Sequence, residues 1–239
     1  MSERGRDDQE LDLLNAFWIK TAPRRGRNVS LTERMEPHAV RRVGQDSPLA
    51  VTFAGGATGG WRVDRVEQVR GEGLDRVPRL AVVEGSGAPI PSGARWVLQG
   101  VTSNERYATE QEREALLAVQ EPLGRPSATR AALIPIKKSV NWWALAQDER
   151  RAIFEERSHH IGTGLGYVPA IARRLHHSRD LGQPFDFLTW FEYALTAADA
   201  FEELVGRLRA TEEWAYVERE VDVRLIREPS TAILRSPSG

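Results

Sequence analysis

The sequence predicts an α+β fold built as two ferredoxin-like halves side by side. Three observations carry this. Short β-prone runs recur along most of the chain, each bounded by Gly, Pro or Ser turn signals. Helical patterns fall between them irregularly, not one per strand as a doubly wound parallel sheet requires. And the alternation of strand and helix starts afresh after residue 128.

Residues 1–47 form an N-terminal extension of mixed charge that includes PRRGR. Its one amphipathic helix candidate covers residues 11–20, and flexibility is expected. The first half spans residues 48–128. It opens with LAVTF (49–53), GWRVDRVEQV (60–69), RLAVVEG (79–85) and ARWVLQGV (94–101), all read as strands. AGGATGG (54–60) joins the first two and reads as a hairpin connection; no Lys-Ser/Thr pair follows to make it a phosphate loop. A helix is predicted over 109–120, with Thr109 and Glu112 as a capping box and Leu116, Leu117 and Val119 as its apolar face.

The second half spans residues 129–230, before a flexible tail at 231–239. Strand AALIPIKKS (131–139) precedes predicted helices over 146–160 and 168–177. Strand FDFLTWFEY (185–193), a helix over 197–209 and strand WAYVEREVDVRLI (214–226) complete it.

Composition narrows the function classes. A net charge of −1 over 239 residues argues against a dedicated nucleic-acid partner. With no cysteine there are no disulfides, thiolate metal sites or covalently attached c-type haem. No apolar run reaches the 18 residues of a membrane span, and no secretory pattern is present. The twin arginines Arg24 and Arg25 lack a following hydrophobic region, so the cytoplasm is the expected compartment. Lysine occurs only at Lys20, Lys137 and Lys138, which makes the adjacent pair conspicuous. Sulfur is absent after Met35, which chance and composition explain, or which suits a site where oxidisable side chains are unwelcome.

The most informative stretch is ERSHHIGTGLGYVPAIARR (156–174). His160 precedes Arg173 by thirteen residues, with Gly162, Gly164, Gly166 and Pro169 between them. On one continuous helix they would stand roughly 20 Å apart. Glycines that break a first helix and a proline that opens a second let an imidazole reach a metal from one side and a guanidinium return over the other. GTGLG follows a helix, not a strand, and lacks the spacing of a dinucleotide fingerprint. Of the other histidines, His38 lies in the extension, and His176 and His177 are expected to end a helix, where its dipole favours an imidazolium. His159 and His160 are adjacent, so only one can face inward. Glu212, Glu213, Glu218 and Glu220 are candidate carboxylates; one placed behind a metal-bound histidine would fix its tautomer.

Four blocks carry a resemblance: TSNERYAT (102–109), LGRPSATRAALIPIKKS (123–139), the long segment from NWWALAQDERR to FLTWFEYA (141–194), and LRATEEWAYVEREVDVRL (208–225). Together they resemble the chlorite dismutase family, in particular its short, dimeric bacterial branch. The resemblance implies a dimeric α+β barrel fold with an abbreviated N-terminal half. It implies a homodimer with one haem b (iron protoporphyrin IX) per subunit, held in the C-terminal half. His160 matches the proximal iron ligand and Arg173 the distal catalytic arginine. Glu213, or its neighbour Glu212, matches the carboxylate behind the imidazole. Lys138, or Lys137, completes that network, since only one of two adjacent strand residues faces inward. Gln120 matches a distal pocket position, and Trp142 and Trp143 match a tryptophan pair near the haem. The implied reaction converts chlorite, a small anion, to chloride and dioxygen through a ferryl/hypochlorite pair, with neither nucleic acid nor membrane as partner. Two alternatives stand beside it: a coproheme decarboxylase-like enzyme and a non-catalytic haem carrier or sensor. Against the decarboxylase, the Tyr-Pro-Met triplet of its Gram-positive branch is here Ile134-Pro135-Ile136, and its usual distal glutamine is Arg173. The GxxDG motif of dye-decolourising peroxidases does not occur.

Overall fold

Strand signals that recur along the sequence become one closed sheet. A computed structural model describes residues 50–85, 87, 89–102 and 108–228. Its strands are β1 (Ala50–Gly56), β2 (Trp61–Arg70), β3 (Arg79–Glu84), β4 (Trp96–Thr102), β5 (Arg130–Lys138), β6 (Ile171–His177), β7 (Phe187–Tyr193) and β8 (Val217–Arg227). They form a barrel in the order β1-β3-β2-β8-β5-β7-β6-β4, every ladder antiparallel. The fold is therefore α+β with an antiparallel sheet. The first four strands lie in the order β4-β1-β3-β2 and the last four in the equivalent order β8-β5-β7-β6. The predicted extension, its helix at 11–20 and the tail from 231 lie outside the described residues.

Helices are distributed unevenly over this scaffold. Helix α1 (Glu110–Val119) joins the two sets of strands. Between β5 and β6 come α2 (Val140–Ala144), α3 (Gln147–Arg151), a π-helical turn (Ala152–Arg157) and α4 (His160–Leu165). Helix α5 (Ala198–Arg209) lies between β7 and β8. Among the described residues, no helix is long and apolar enough to cross a membrane.

Side-chain alternation divides the core in two. On β5, Ala131 and Leu133 point into the barrel with Phe53, Leu80, Leu98, Trp190 and Val223. Ala132, Ile134 and Ile136 point outward, against Phe191, Tyr193 and the helices. A strand covered on both faces needs a continuous apolar run, which AALIPI supplies. Helix α5 seals the outer face with Phe201, Leu204, Val205 and Leu208, the i, i+3, i+4, i+7 stripe of an amphipathic helix. Burial of each side chain contributes about 1.5–3 kcal/mol.

Local signals hold where the contacts are local. The capping box of α1 forms as expected: Glu112 N–H donates to Thr109 Oγ1 and Thr109 N–H to Glu112 Oε2. Leu116 is buried, but Val119 is exposed and does not belong to the apolar face.

Three expectations are corrected. The segment expected as a helix over 168–177 is strand β6, paired with β7 from Ile171↔Tyr193 to His177↔Phe187 and with β4 at Val101 and Thr102. Barrel closure outweighs its helical propensity. His176 and His177 are thus buried strand residues with no helix end beside them. The helix expected over 146–160 is interrupted by the π-helical turn and by His159, whose φ of 49° lies in the left-handed region. Last, AGGATGG is not a hairpin, because β1 pairs with β3 and β4 and not with β2. The link instead steps across the start of β3. At Gly59, with φ of 145°, a Cβ would lie 2.2 Å from the Leu80 carbonyl oxygen, so only glycine fits.

Candidate active site

Between the outer face of β5–β7 and the helices that cover it lies a cleft of about 1260 Å³, counting the space at its mouth. Ile134, Ile136, Ile171 and Leu175 line its sheet wall, together with Arg173 and His177. Trp142, Phe154, Ile161, Leu204 and Leu208 line the helical wall, together with His160. A mostly apolar cleft with a few convergent polar groups is the usual form of a ligand site.

His160 is the first residue of α4. The preceding His159 is, among the described residues, the only non-glycine with positive φ, a conformation costing roughly 1–2 kcal/mol. This reversal leaves His159 exposed while His160 faces the cleft. Phe154, on the π-helical turn, stacks on the His160 ring at 4.3 Å and 20° and fixes the plane of the imidazole.

Behind His160 stands Glu213, on the 3-10 turn Glu212–Tyr216. Its Oε2 is 2.7 Å from His160 Nδ1. A carboxylate only accepts, so Nδ1 is the donor in this contact. Glu213 Oε1 accepts from Lys138 Nζ at 2.6 Å, and its backbone N–H donates to Ser158 Oγ at 3.1 Å. The Lys138 ammonium also lies 4.7 Å from the Trp142 ring centroid and 5.4 Å from that of Trp214. Burial works to raise the Glu213 carboxyl, but the charges and hydrogen bonds of His160 and Lys138 overcome it and hold the group at about 2. Burial pulls the Lys138 ammonium below its ordinary value, opposed by the Glu213 carboxylate.

The neighbouring alternatives point elsewhere. Lys137 pairs with Glu218, and Glu212 with Arg157, each on an exposed surface. Strand alternation separates the two lysines and puts Lys138 on the cleft face with Ile134 and Ile136, and the ladder to β8 shifts register between Lys137 and Lys138. At that shift the Lys138 backbone N–H donates to Asp186 Oδ2 at 2.7 Å, which also accepts from Trp143 Nε1 at 3.1 Å. Burial pushes the Asp186 carboxyl up, against those two donors.

Arg173 reaches the cleft from β6, opposite Phe191 of β7. Gln120, at the end of α1, is not among the residues lining the cleft; its amide Nε2 donates to the carbonyl of Arg173 at 2.9 Å. Trp142 lines the cleft and is buried. Trp143 does not line it, but stacks near Phe187 at 6.0 Å with the Arg179 guanidinium 4.1 Å from its ring. The structure thus brings together His160, Glu213, Lys138, Trp142 and Arg173, with Gln120 behind the last. Sequence reasoning missed Phe154, Ser158 and His177. The alternation 171, 173, 175, 177 would have placed His177 on the face of Arg173 had the segment been read as a strand.

Among the described residues no group of three or more His, Cys, Asp or Glu converges as a metal-ligand set. A metal on His160 would therefore take its remaining donors from outside the side chains of this region. Four porphyrin nitrogens are such a set, and a single imidazole facing an apolar cleft fits a haem.

The family model described as chlorite dismutase matches residues 92–227. The dimeric chlorite dismutase from Nitrobacter winogradskyi is 57% identical, over 74% of this chain and 99% of that one, with a TM-score of 0.69. A mutant chlorite dismutase from Candidatus Nitrospira defluvii shares the fold at 22% identity, over 76% and 92% of the chains, with a TM-score of 0.52. A chlorite dismutase from Ideonella dechloratans is 37% identical over 62 residues, 26% of this chain. That match spans only 20% of the relative's own length. With more than half of its length matched, including every residue of the cleft named above, this chain belongs to the chlorite dismutase family.

Proposed function

We propose that the chain is a haem b enzyme that decomposes chlorite to chloride and dioxygen. The observation that carries this reading is the buried line Lys138–Glu213–His160 ending at an apolar cleft, with Arg173 entering from the sheet wall. His160 would hold the haem iron through Nε2, and the cleft's aliphatic walls would hold the macrocycle. Bound haem would supply the redox chemistry that cleaves a Cl–O bond and joins the two oxygens. The protein supplies position and charge.

Glu213 keeps the proton of His160 on Nδ1 and increases the donor strength of Nε2. Lys138 keeps Glu213 ionised despite its burial. Arg173 is cationic at every working pH, so it draws in chlorite and holds an oxyanion without acting as a base. Because the substrate arrives deprotonated, no proton need be removed from it. Apolar surroundings strengthen the hold of the guanidinium. Overall, one chlorite gives one chloride and one dioxygen.

Several features support the finer reading. The equivalent strand orders of β1–β4 and β5–β8 suit two ferredoxin-like halves, the first abbreviated because its crossovers at 57–60 and 85–95 are short links. The dimeric relative at 57% identity supports a homodimer, and one imidazole facing the cleft suits one haem per subunit. At the cleft, Ile134 offers no phenol for a radical decarboxylation.

An oxygen electrode tests the proposal, using the full chain reconstituted with haem b. Rapid release of one dioxygen and one chloride per chlorite is expected. Normal haem loading without dioxygen would reject it.

A further inference from the structure

We infer that Glu155 is a positioning residue for His160, acting through the backbone of α4. The inference rests on the reading of His160 as the haem ligand. The start of α4 is unusual in three respects. The residue before it, His159, is left-handed and offers no side-chain cap. The segment feeding it is π-helical, so its side chains are rotated from the α-helical phase. And the helix is only six residues long, with Gly162 and Gly164 inside it, so it has little propensity of its own.

Glu155 compensates for all three. Its side chain reaches over the reversal at His159 and accepts from two successive backbone donors, Ile161 N–H to Oε2 at 2.6 Å and Gly162 N–H to Oε1 at 3.1 Å. These are two of the donors a helix start leaves without intrahelical partners. Its backbone carbonyl accepts from His159 N–H at 2.9 Å. One residue therefore grips the chain on both sides of His160. A carboxylate near a helix start is also favoured by the helix dipole.

The phase change has a consequence at the ring. Phe154 and Glu155 are adjacent on the π-helical turn. Phe154 stacks on the imidazole of His160 while Glu155 holds the backbone just beyond it. Together with the Glu213 bond at Nδ1, this leaves the ring no free rotation and aims Nε2 into the cleft. Glu155 is not itself among the residues lining the cleft and holds the chain through the backbone N–H groups of Ile161 and Gly162, so its effect on the ring passes through geometry.

The test compares Glu155→Ala, Glu155→Gln and His160→Ala with the parent chain, all loaded with haem b. The readouts are transfer of haem to apomyoglobin and the Soret and charge-transfer bands of the ferric form. Groups that orient a metal ligand typically change metal affinity about 10- to 100-fold. Haem loss from Glu155→Ala is expected to be about that much faster, with shifted ferric bands, while Glu156→Ala, on the exposed side of the same turn, behaves as the parent. Glu155→Gln keeps one accepting oxygen and should fall between; it decides the question if Glu155→Ala does not fold. Parental haem retention and bands in the Glu155 variants, with haem lost from His160→Ala, would overturn the role of Glu155 alone. A lowered melting temperature with unchanged bands and haem loss would also overturn it, leaving a purely structural cap. Full haem retention by His160→Ala would overturn the ligand reading and this inference with it.

Discussion

The ammonium of Lys138 lies 2.6 Å from Oε1 of Glu213, and neither side chain exposes more than 5% of its surface. Charges so fully withdrawn from water are tolerable only as a pair, because removing one strands the other in a low-dielectric interior. Lys138→Met is therefore expected to destabilise the haem-free chain by about 3 kcal/mol, the lower end of the range for breaking a buried pair, since His160 still faces Glu213. Adding Glu213→Gln removes the stranded charge, so the double variant should cost clearly less than the sum of the two single changes. Urea denaturation of the four chains measures this. Additive losses would show that the two groups are not energetically coupled.

A second buried group makes stability depend on pH. His176 lies inside the barrel, its ring 5.6 Å from Phe53 and its Nδ1 3.2 Å from the Leu188 carbonyl. Burial, aided by the charge of Arg174 and opposed by the Leu188 bond, pulls it from 6.5 to about 4. The folded-state value is depressed, so between pH 6.5 and 4 the unfolded chain binds a proton that the native chain refuses. Stability contributed by the neutral ring is complete above pH 6.5 and declines as pH falls toward 4. From pH 7 to 4.5 the loss assignable to His176 is about 2 to 3 kcal/mol. His176→Gln keeps a donor for Leu188 and does not titrate, so its urea midpoint should fall less over that interval. Equal falls in the two proteins would remove His176 as the cause.

Legibility in the sequence followed the range of the contacts involved. Thr109 and Glu112 are three residues apart, and Phe201, Leu204, Val205 and Leu208 share one helix face, so both patterns could be read directly. Strand β6 could not. Its segment is rich in arginine and helix-compatible, and what makes it a strand is a ladder to β7 and the seam with β4, both set by barrel closure. The same holds in the cleft. Lys138 and Glu213 are 75 residues apart and His160 and Glu213 are 53 apart, so no local spacing joins them; family resemblance supplied the candidates. Geometry then separated Lys138 from Lys137 and Glu213 from Glu212, because adjacent residues on a strand or tight turn point apart. Glu155 escaped notice because the π-helical turn obeys no hydrophobic period.

Gly59 offers a clean test of the unexpected path between β1 and β2. Its φ of 145° suits glycine, and a Cβ would lie 2.2 Å from the Leu80 carbonyl oxygen. Gly60, next to it, has open space around its Cβ position. Gly59→Ala should cost at least about 2 kcal/mol from backbone strain alone, while Gly60→Ala should stay within about 0.5 kcal/mol of the parent. Thermal or urea unfolding of the two variants decides it. Equal effects would mean that the link does not cross β3 as described.

Arg173 carries the prediction closest to the chemistry. It enters the cleft from β6, and its backbone is tied to α1 through the Gln120 amide. If the guanidinium holds the oxyanion, its removal forfeits a charge-assisted hydrogen bond worth about 1.5–3 kcal/mol. That corresponds to roughly a 10- to 150-fold loss in kcat/KM for Arg173→Ala. Substrate capture is only half of the expected role. On the proposed reaction, Arg173 would also retain the hypochlorite oxyanion in the cleft, and without the cation that anion would escape. The variant should therefore halogenate an added scavenger such as monochlorodimedone and bleach its haem after fewer turnovers. Arg173→Lys keeps the charge but not the planar fork, and should fall between the variant and the parent in both measurements. Parental turnover before bleaching, with no scavenger consumed by Arg173→Ala, would show that retention of the oxyanion lies with another group in the cleft.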